Sequence, residues 1–147
     1  LPGCLTQIRN ILKKDGLFLA TMLGGETLKE LRHSLIKAEA LINGGLSNRI
    51  SPFVDVKDAG NLLQRAGFSL PVADMETITI SYSDPIKLMH DIRAMGESNA
   101  LVESRKGFTS RNLFFEAARF YNEDFQGSDG RIPATFQIVG LSAWANK

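Results

Sequence analysis

The sequence has one cysteine, Cys4, and two histidines, His33 and His90, among its 147 residues. A single cysteine excludes an internal disulfide and fits a reducing compartment. Cys4 falls near an expected helix start, where a thiolate is favoured, but no histidine is paired with it, so it reads as structural. His33 and His90 fall on different expected helices, without a His-x-Glu spacing or a cysteine pair beside them, so no metal-ligand pattern is present. Charge of one sign is not in excess either. The 17 Lys and Arg against 16 Asp and Glu leave a net charge of +1, which gives no whole-chain attraction to nucleic acid or an anionic membrane. No apolar run approaches the roughly 18–20 residues of a membrane span. LPGCLTQ has neither the basic start nor the apolar core of a signal peptide, and no repeat or low-complexity tract occurs.

What is present is an ordinary globular composition, 44% hydrophobic and 22% charged, at a length that supports one core. Its most distinctive stretch is KDGLFLATMLGG, Lys14 to Gly25. Seven apolar or small residues, Leu17 to Leu23, run without polar alternation and stop on two glycines. Such a strand is expected to be buried on both faces, as in a parallel α/β sheet. Ligands of open α/β sheets bind outside the carboxyl ends of these strands, which draws attention to Gly24, Gly25 and Glu26.

Helical periodicity precedes this strand, with Leu5, Ile8, Ile11 and Leu12 on one face and Gly16 placed to take the left-handed position that ends the helix. After it, Thr27 and Glu30 have the spacing of a capping box. Leu28, Leu31, Leu35, Ala38 and Ile42 then form a stripe. Residues 45–53 read as a loop. Asp55 caps a helix with Val56, Ala59, Leu63 and Ala66 inward, closed by Gly67. From Val72 to Tyr82 the period becomes two, with one wetter face, as on a strand near a sheet edge. Asp84-Pro85 opens a further helix carrying Ile86, Met89 and Ile92, which Gly96 ends. Thr109 or Ser110 can cap another, with Phe114, Ala117, Ala118, Tyr121 and Phe125 inward. A last strand follows, about Ala134 to Trp144. Arg105, Lys106 and Arg111 form a local basic patch without interleaved aromatics, more consistent with a solvated face than with nucleic-acid binding.

This order and its wording resemble the C-terminal half of a class I S-adenosylmethionine-dependent methyltransferase. More narrowly, they resemble the mitochondrial complex I assembly factor family described as arginine hydroxylases, with its bacterial relatives, and more distantly the malonyl-carrier-protein methyltransferase of biotin synthesis. The match rests on LPGCLTQIR (Leu1–Arg9), KKDGLFLATMLGGETLKELR (Lys13–Arg32), ISPF (Ile50–Phe53), DAGNLLQRAGF (Asp58–Phe68), MGESN (Met95–Asn99) and IPATFQI (Ile132–Ile138). The helix–KDG–strand element alone is common among methyltransferases, whereas GGETL, MGESN and IPATFQI in that order are specific.

The resemblance implies an α/β fold: two parallel strands and one antiparallel strand of a Rossmann-like sheet. Leu17–Leu23 would sit beside the last strand, with Val72–Tyr82 outside that one. Residues 1–147 are then a partial, C-terminal domain, and 84–133 a helical insertion capping the crevice. The family's glycine-rich turn and its ribose-binding acidic residue have no counterpart here, so the expectation is a fragment or one product of a split parent. S-adenosylmethionine is the implied cofactor, with its binding residues outside this chain. Gly24, Gly25 and Glu26, with Met95, Gly96, Glu97, Ser98 and Asn99, are the candidate substrate-binding residues. Glu26 reads more readily as a first-turn residue complementing a helix dipole, and Met95–Asn99 reads equally as a helix stop and turn.

No catalytic residue is assigned, and no two-histidine, one-carboxylate iron triad of a hydroxylase is visible. The implied function is modification of a protein substrate, by resemblance an arginine of a complex I subunit, in the cytoplasm of a bacterium or the mitochondrial matrix. A carboxylate O-methyltransferase and a non-enzymatic assembly module are the alternatives. The piece alone is expected to be inactive, and oligomeric or paired through the edge of the strand at 17–23.

Overall fold

The computed structural model describes residues 1–43, 55–96 and 111–147. The loop expected at 45–53, Glu97, Ser98 and Asn99, Arg105 and Lys106, and the caps Thr109 and Ser110 lie outside the described residues. Among those described, the elements are α1 (Pro2–Ile11), β1 (Gly16–Leu23), α2 (Lys29–Asn43), α3 (Val56–Arg65), β2 (Ser69–Tyr82), α4 (Pro85–Ala94), α5 (Arg111–Phe125) and β3 (Ile132–Ala145). They divide into two units. The first holds α1, β1, α3, β2 up to Ile78 and β3 from Phe136, and the second holds α2, the rest of β2, α4, α5 and β3 up to Thr135.

The strand order is β1-β3-β2. β3 runs antiparallel to β1, in register from Gly16 opposite Ala145 to Leu23 opposite Ile138. The sheet is antiparallel throughout, so β1 and β2 run parallel to one another on either side of the last strand, as the resemblance implies.

In the first unit, directly opposed residues share a face. Phe18 with Ala143, Ala20 with Leu141 and Met22 with Val139 therefore look the same way. That face meets Leu5 of α1 and Ala59 and Leu63 of α3 in one core, with Phe68 stacked 5.2 Å from Phe18 between ring centres. α3 starts as its sequence requires, with the Asp55 carboxylate accepting from the Lys57 amide. Arg9 closes the unit, donating from Nε to the Gly67 carbonyl (2.7 Å) and from Nη2 to that of Asn146 (3.1 Å). Gly67 has φ +87°, and a Cβ there would lie 3.0 Å from Arg9 Nε, so glycine is needed for conformation and for space. Lys147 Nζ supplies donors to the carbonyls of Asn10 and Leu12, which the end of α1 leaves unpaired.

Three expectations are corrected here. β1 is not buried on both faces: Leu17 and Leu19 are 47% and 74% exposed, as is Trp144, opposite Leu17, at 42%. β1 is an edge strand, and the apolar run asks for cover on two faces where the described residues supply one. The interior strand is β3, whose residues are mostly buried on both sides. The first helix ends on an extended Leu12 rather than on a left-handed Gly16, and the left-handed residue in the turn before β1 is Asp15, at φ 59°. Ile11 turns away from its expected stripe and is exposed.

In the second unit α2 packs on α5, and α4 also packs on α5. Leu31, Leu35 and Ala38 are buried on α2, with Leu113, Ala117, Ala118 and Tyr121 on α5 and Leu88 and Ile92 on α4. Ile42, expected inside, is exposed, as is Phe115. Between α2 and α5, the Asp124 carboxylate accepts from Lys37 Nζ at 2.8 Å and pairs with His33 Nε2 at 3.0 Å. Lys37 and Arg119 also stand against the Phe120 ring.

Two outcomes are expected in urea unfolding. Phe18→Ala costs about 3 kcal/mol or more by opening a cavity, while Leu19→Lys, one residue on, stays within about 0.5 kcal/mol. Equal costs would show that the outer face of β1 is covered. The hydrogen bond from Lys37, aided by His33, holds the Asp124 carboxyl below its ordinary value. A carboxyl whose folded value is depressed stabilises the fold above its unfolded value and loses that contribution as pH falls through the folded one. Lys37→Met should therefore flatten the acid limb of the stability profile below about pH 4, measured from urea midpoints.

Candidate functional site

β1 ends on a turn whose geometry is set by β3. Gly24 donates its amide to the Gln137 carbonyl at 2.7 Å, and the Thr27 amide returns to the Gly24 carbonyl at 3.0 Å. The Thr27 hydroxyl works in both directions, donating to the Gln137 carbonyl and accepting from the Gln137 amide, each at 3.1 Å. The Gln137 side chain then folds under the turn, its Oε1 accepting from the Glu26 amide at 3.3 Å. Gly24 cannot carry a side chain, since a Cβ would lie 2.5 Å from that same oxygen. Gly25 meets nothing within 4 Å of where its Cβ would be. Thr27 and Gln137 are buried, whereas Glu26 is exposed. The result is a rigid base under an accessible Gly25-Glu26 tip at the carboxyl end of β1.

The second unit continues the pattern on its own residues. Leu28, at φ 56°, donates to the Thr135 carbonyl at 2.7 Å. The Glu30 carboxylate accepts from the Thr135 amide at 3.1 Å and from its hydroxyl in a short hydrogen bond. Glu30 is only 4% exposed, a buried acid satisfied by these two donors. The expected capping box is thereby corrected: Glu30 reaches β3 rather than the Thr27 amide, and α2 begins at Lys29. Nearby, Tyr121 is fully buried and donates to the Pro133 carbonyl at 2.6 Å. Its hydroxyl is pushed well above the ordinary tyrosine value, first by burial and then by the Glu30 charge. Burial, followed by Asp91, also raises Tyr82.

An open cleft of about 260 Å³ in this unit is lined by Thr79, Ser81, Phe125, Asp129 and Arg131 among others. Arg131 spans it, donating from Nε to the Ser81 hydroxyl at 2.7 Å and from Nη2 to the Ser81 carbonyl at 3.1 Å. Met95 follows α4 and is exposed, and Gly96 has φ +79°, the expected helix stop.

The candidate residues thus divide. Gly24, Gly25 and Glu26 form one turn in the first unit, Met95 and Gly96 end a helix in the second, and Glu97, Ser98 and Asn99 lie outside the described residues. The sequence reading missed Thr135 and Gln137 as partners of that region. Their signal was available: two hydrogen-bonding side chains alternate on a stretch of strand, Ile132–Val139, that is otherwise apolar, and buried polar groups need partners. Among the described residues, no group of three or more His, Cys, Asp or Glu could hold a metal ion, and no helix is long and apolar enough to cross a membrane. The Gly24–Thr27 turn does not by itself form a cradle for S-adenosylmethionine. In the Gly24–Thr27 turn, the amides of Gly24, Glu26 and Thr27 are committed to Gln137 or to the turn itself, and the space left by the missing Gly24 side chain is filled by Gln137.

No protein-family model matches the chain. The fold does have a likeness among solved structures. A solved chain from Bacillus halodurans C-125, described as a methyltransferase candidate, superposes with a TM-score of 0.54 over 99% of this chain and 63% of its own, at 14% identity, which bears on the fold alone. Sequence similarity narrows this class. The chain is 44% identical over 144 residues to the mitochondrial arginine-hydroxylase NDUFAF5 of Danio rerio and 45% identical to that of Homo sapiens. It is 37% identical over 144 residues to the malonyl-[acyl-carrier protein] O-methyltransferase of Nitrosospira multiformis. Each alignment takes in 98% of this chain, but 44%, 41% and 44% of the respective relatives. The chain therefore spans less than half the length of these relatives, and the resemblance carried by its motifs extends along nearly all of it.

Tyr121 gives this region a measurable alkaline limb. A group whose folded value is raised contributes fully below its unfolded value and loses that contribution as pH rises above it, here above about pH 10. Tyr121→Phe should cost about 1 kcal/mol at neutral pH through the lost hydrogen bond and should reduce the fall in stability above that pH. An unchanged alkaline limb in urea titrations would place the source elsewhere.

Proposed function

We propose that this chain is the substrate-facing part of an S-adenosylmethionine-dependent, methyltransferase-like enzyme that modifies a protein. The favoured target is an arginine of a respiratory complex I subunit, which ties the activity to assembly of that complex. The observation that carries this reading is similarity to the mitochondrial arginine-hydroxylases at 44–45% identity over 98% of the chain, against 37% for the carrier-protein methyltransferase. By the resemblance, Gly24, Gly25 and Glu26 would contact the substrate, as would Met95, Gly96, Glu97, Ser98 and Asn99, and residues 84–133 would select it. The chain's own contribution is positioning and exclusion of water, and the cofactor would be held by residues outside those described. The compartment is the mitochondrial matrix if the protein is eukaryotic, and the cytoplasm if it is bacterial. Taken alone, the 147 residues are inactive and self-associate through the edge of β1, where Leu17 and Leu19 are exposed.

The similarity to the O-methyltransferase supports a second reading, in which the acceptor is a carboxylate on a carrier protein. A third reading, a binding module without chemistry, is the non-enzymatic alternative.

Titration calorimetry of the full-length parent with S-adenosylmethionine separates the enzymes from the binding module: heat of binding is expected, and its absence overturns the enzymatic readings. Mass spectrometry of complex I subunits, with and without the protein, should then find one arginine about 16 Da heavier for hydroxylation. A gain of about 14 Da on a carrier-bound carboxylate would favour the second reading instead.

A further inference from the structure

We infer that Gln137 is a positioning residue for the substrate-contacting tip at Gly25-Glu26, although it belongs to the last strand and touches no substrate itself. The inference rests on the reading of Gly24–Glu26 as substrate-binding and names what holds that turn in place.

Gln137 is 8% exposed on a strand of largely apolar residues, and it makes three kinds of contact with one four-residue turn. Its carbonyl accepts from the Gly24 amide at 2.7 Å and from the Thr27 hydroxyl at 3.1 Å, and its amide donates to that hydroxyl at 3.1 Å. Any residue at position 137 could make those backbone contacts. The side chain adds what the backbone cannot: Oε1 accepts from the Glu26 amide at 3.3 Å and occupies the space a Gly24 side chain would take. Without it, the Glu26 amide loses its partner and a void opens beneath Gly24. The tip is then free to adopt other conformations while the strand pairing persists. Glycine at 24 and glutamine at 137 are one device, which explains why a polar amide sits within the apolar IPATFQI strand.

The test uses the full-length parent with Gln137→Met, which keeps the length of the side chain but cannot accept in the same way, and Gln137→Glu, which retains an acceptor oxygen. Gly24→Ala displaces the amide without altering residue 137. Two readouts are followed: the KM for the acceptor, tried in turn with an arginine-bearing complex I subunit and with malonyl-carrier protein, and cleavage after Glu26 by a glutamate-specific protease under native conditions. Gln137→Met and Gly24→Ala are each expected to raise KM about tenfold, corresponding to about 1.4 kcal/mol, with kcat little changed. Both should also speed cleavage at the Glu26–Thr27 bond about tenfold without new cuts elsewhere. Gln137→Glu should lie nearer the wild type in both. A raised KM for Glu26→Ala with an unchanged KM for Gln137→Met overturns the role of Gln137 and leaves the site reading intact. If neither Glu26→Ala nor Gln137→Met alters KM, the turn does not contact substrate, and both the site reading and this inference fall.

Discussion

The structure turns on a requirement of buried polar groups. β3 carries Thr135 and Gln137 in its interior, and each must find a hydrogen-bond partner or destabilise the fold by about 1–3 kcal/mol. Both find their partners in the segment that follows β1. The Gln137 side chain accepts from the Glu26 amide in the first unit, and Thr135 and Glu30 satisfy each other in the second. A segment that would otherwise be a loop between a strand and a helix is thereby given one conformation, including the left-handed Leu28 that L-residues ordinarily avoid.

Under the proposed reading, this requirement links the last strand to substrate binding. The residues that the resemblance singled out in IPATFQI and GGETL lie more than 100 positions apart in the chain and are joined by hydrogen bonds. A rigid base carrying an exposed Gly25-Glu26 tip suits preorganised binding, because the conformational entropy of the turn has already been lost in folding.

Much of this was legible in the sequence, and the failures are instructive. Asp55 and Gly67 gave the ends of α3, Asp84-Pro85 and Gly96 those of α4, and the wet face of Val72–Tyr82 placed β2 at an edge, because local hydrogen bonding and backbone freedom decide such features. The run Leu17–Leu23 misled because an apolar pattern reports how much cover a strand is suited to, not how much a given set of residues supplies. Thr27 and Glu30 misled for the opposite reason. Their spacing fits a local capping box, yet tertiary partners on β3 took the Glu30 carboxylate and paired with the Thr27 hydroxyl. The candidate tip at Gly24–Glu26 could be found from strand polarity alone, whereas its support by Gln137 required knowing which residue lies opposite Gly24.

The central claim is that β3 locks the turn after β1 as firmly as it is itself held. Native-state hydrogen exchange measures this at single amides. The Gly24, Thr27, Leu28 and Gln137 amides should exchange only through unfolding of the sheet, sharing the denaturant dependence of the β1–β3 ladder. Exchange of the Gly24 and Thr27 amides through a low-energy, denaturant-independent opening, with the ladder still protected, would contradict the account.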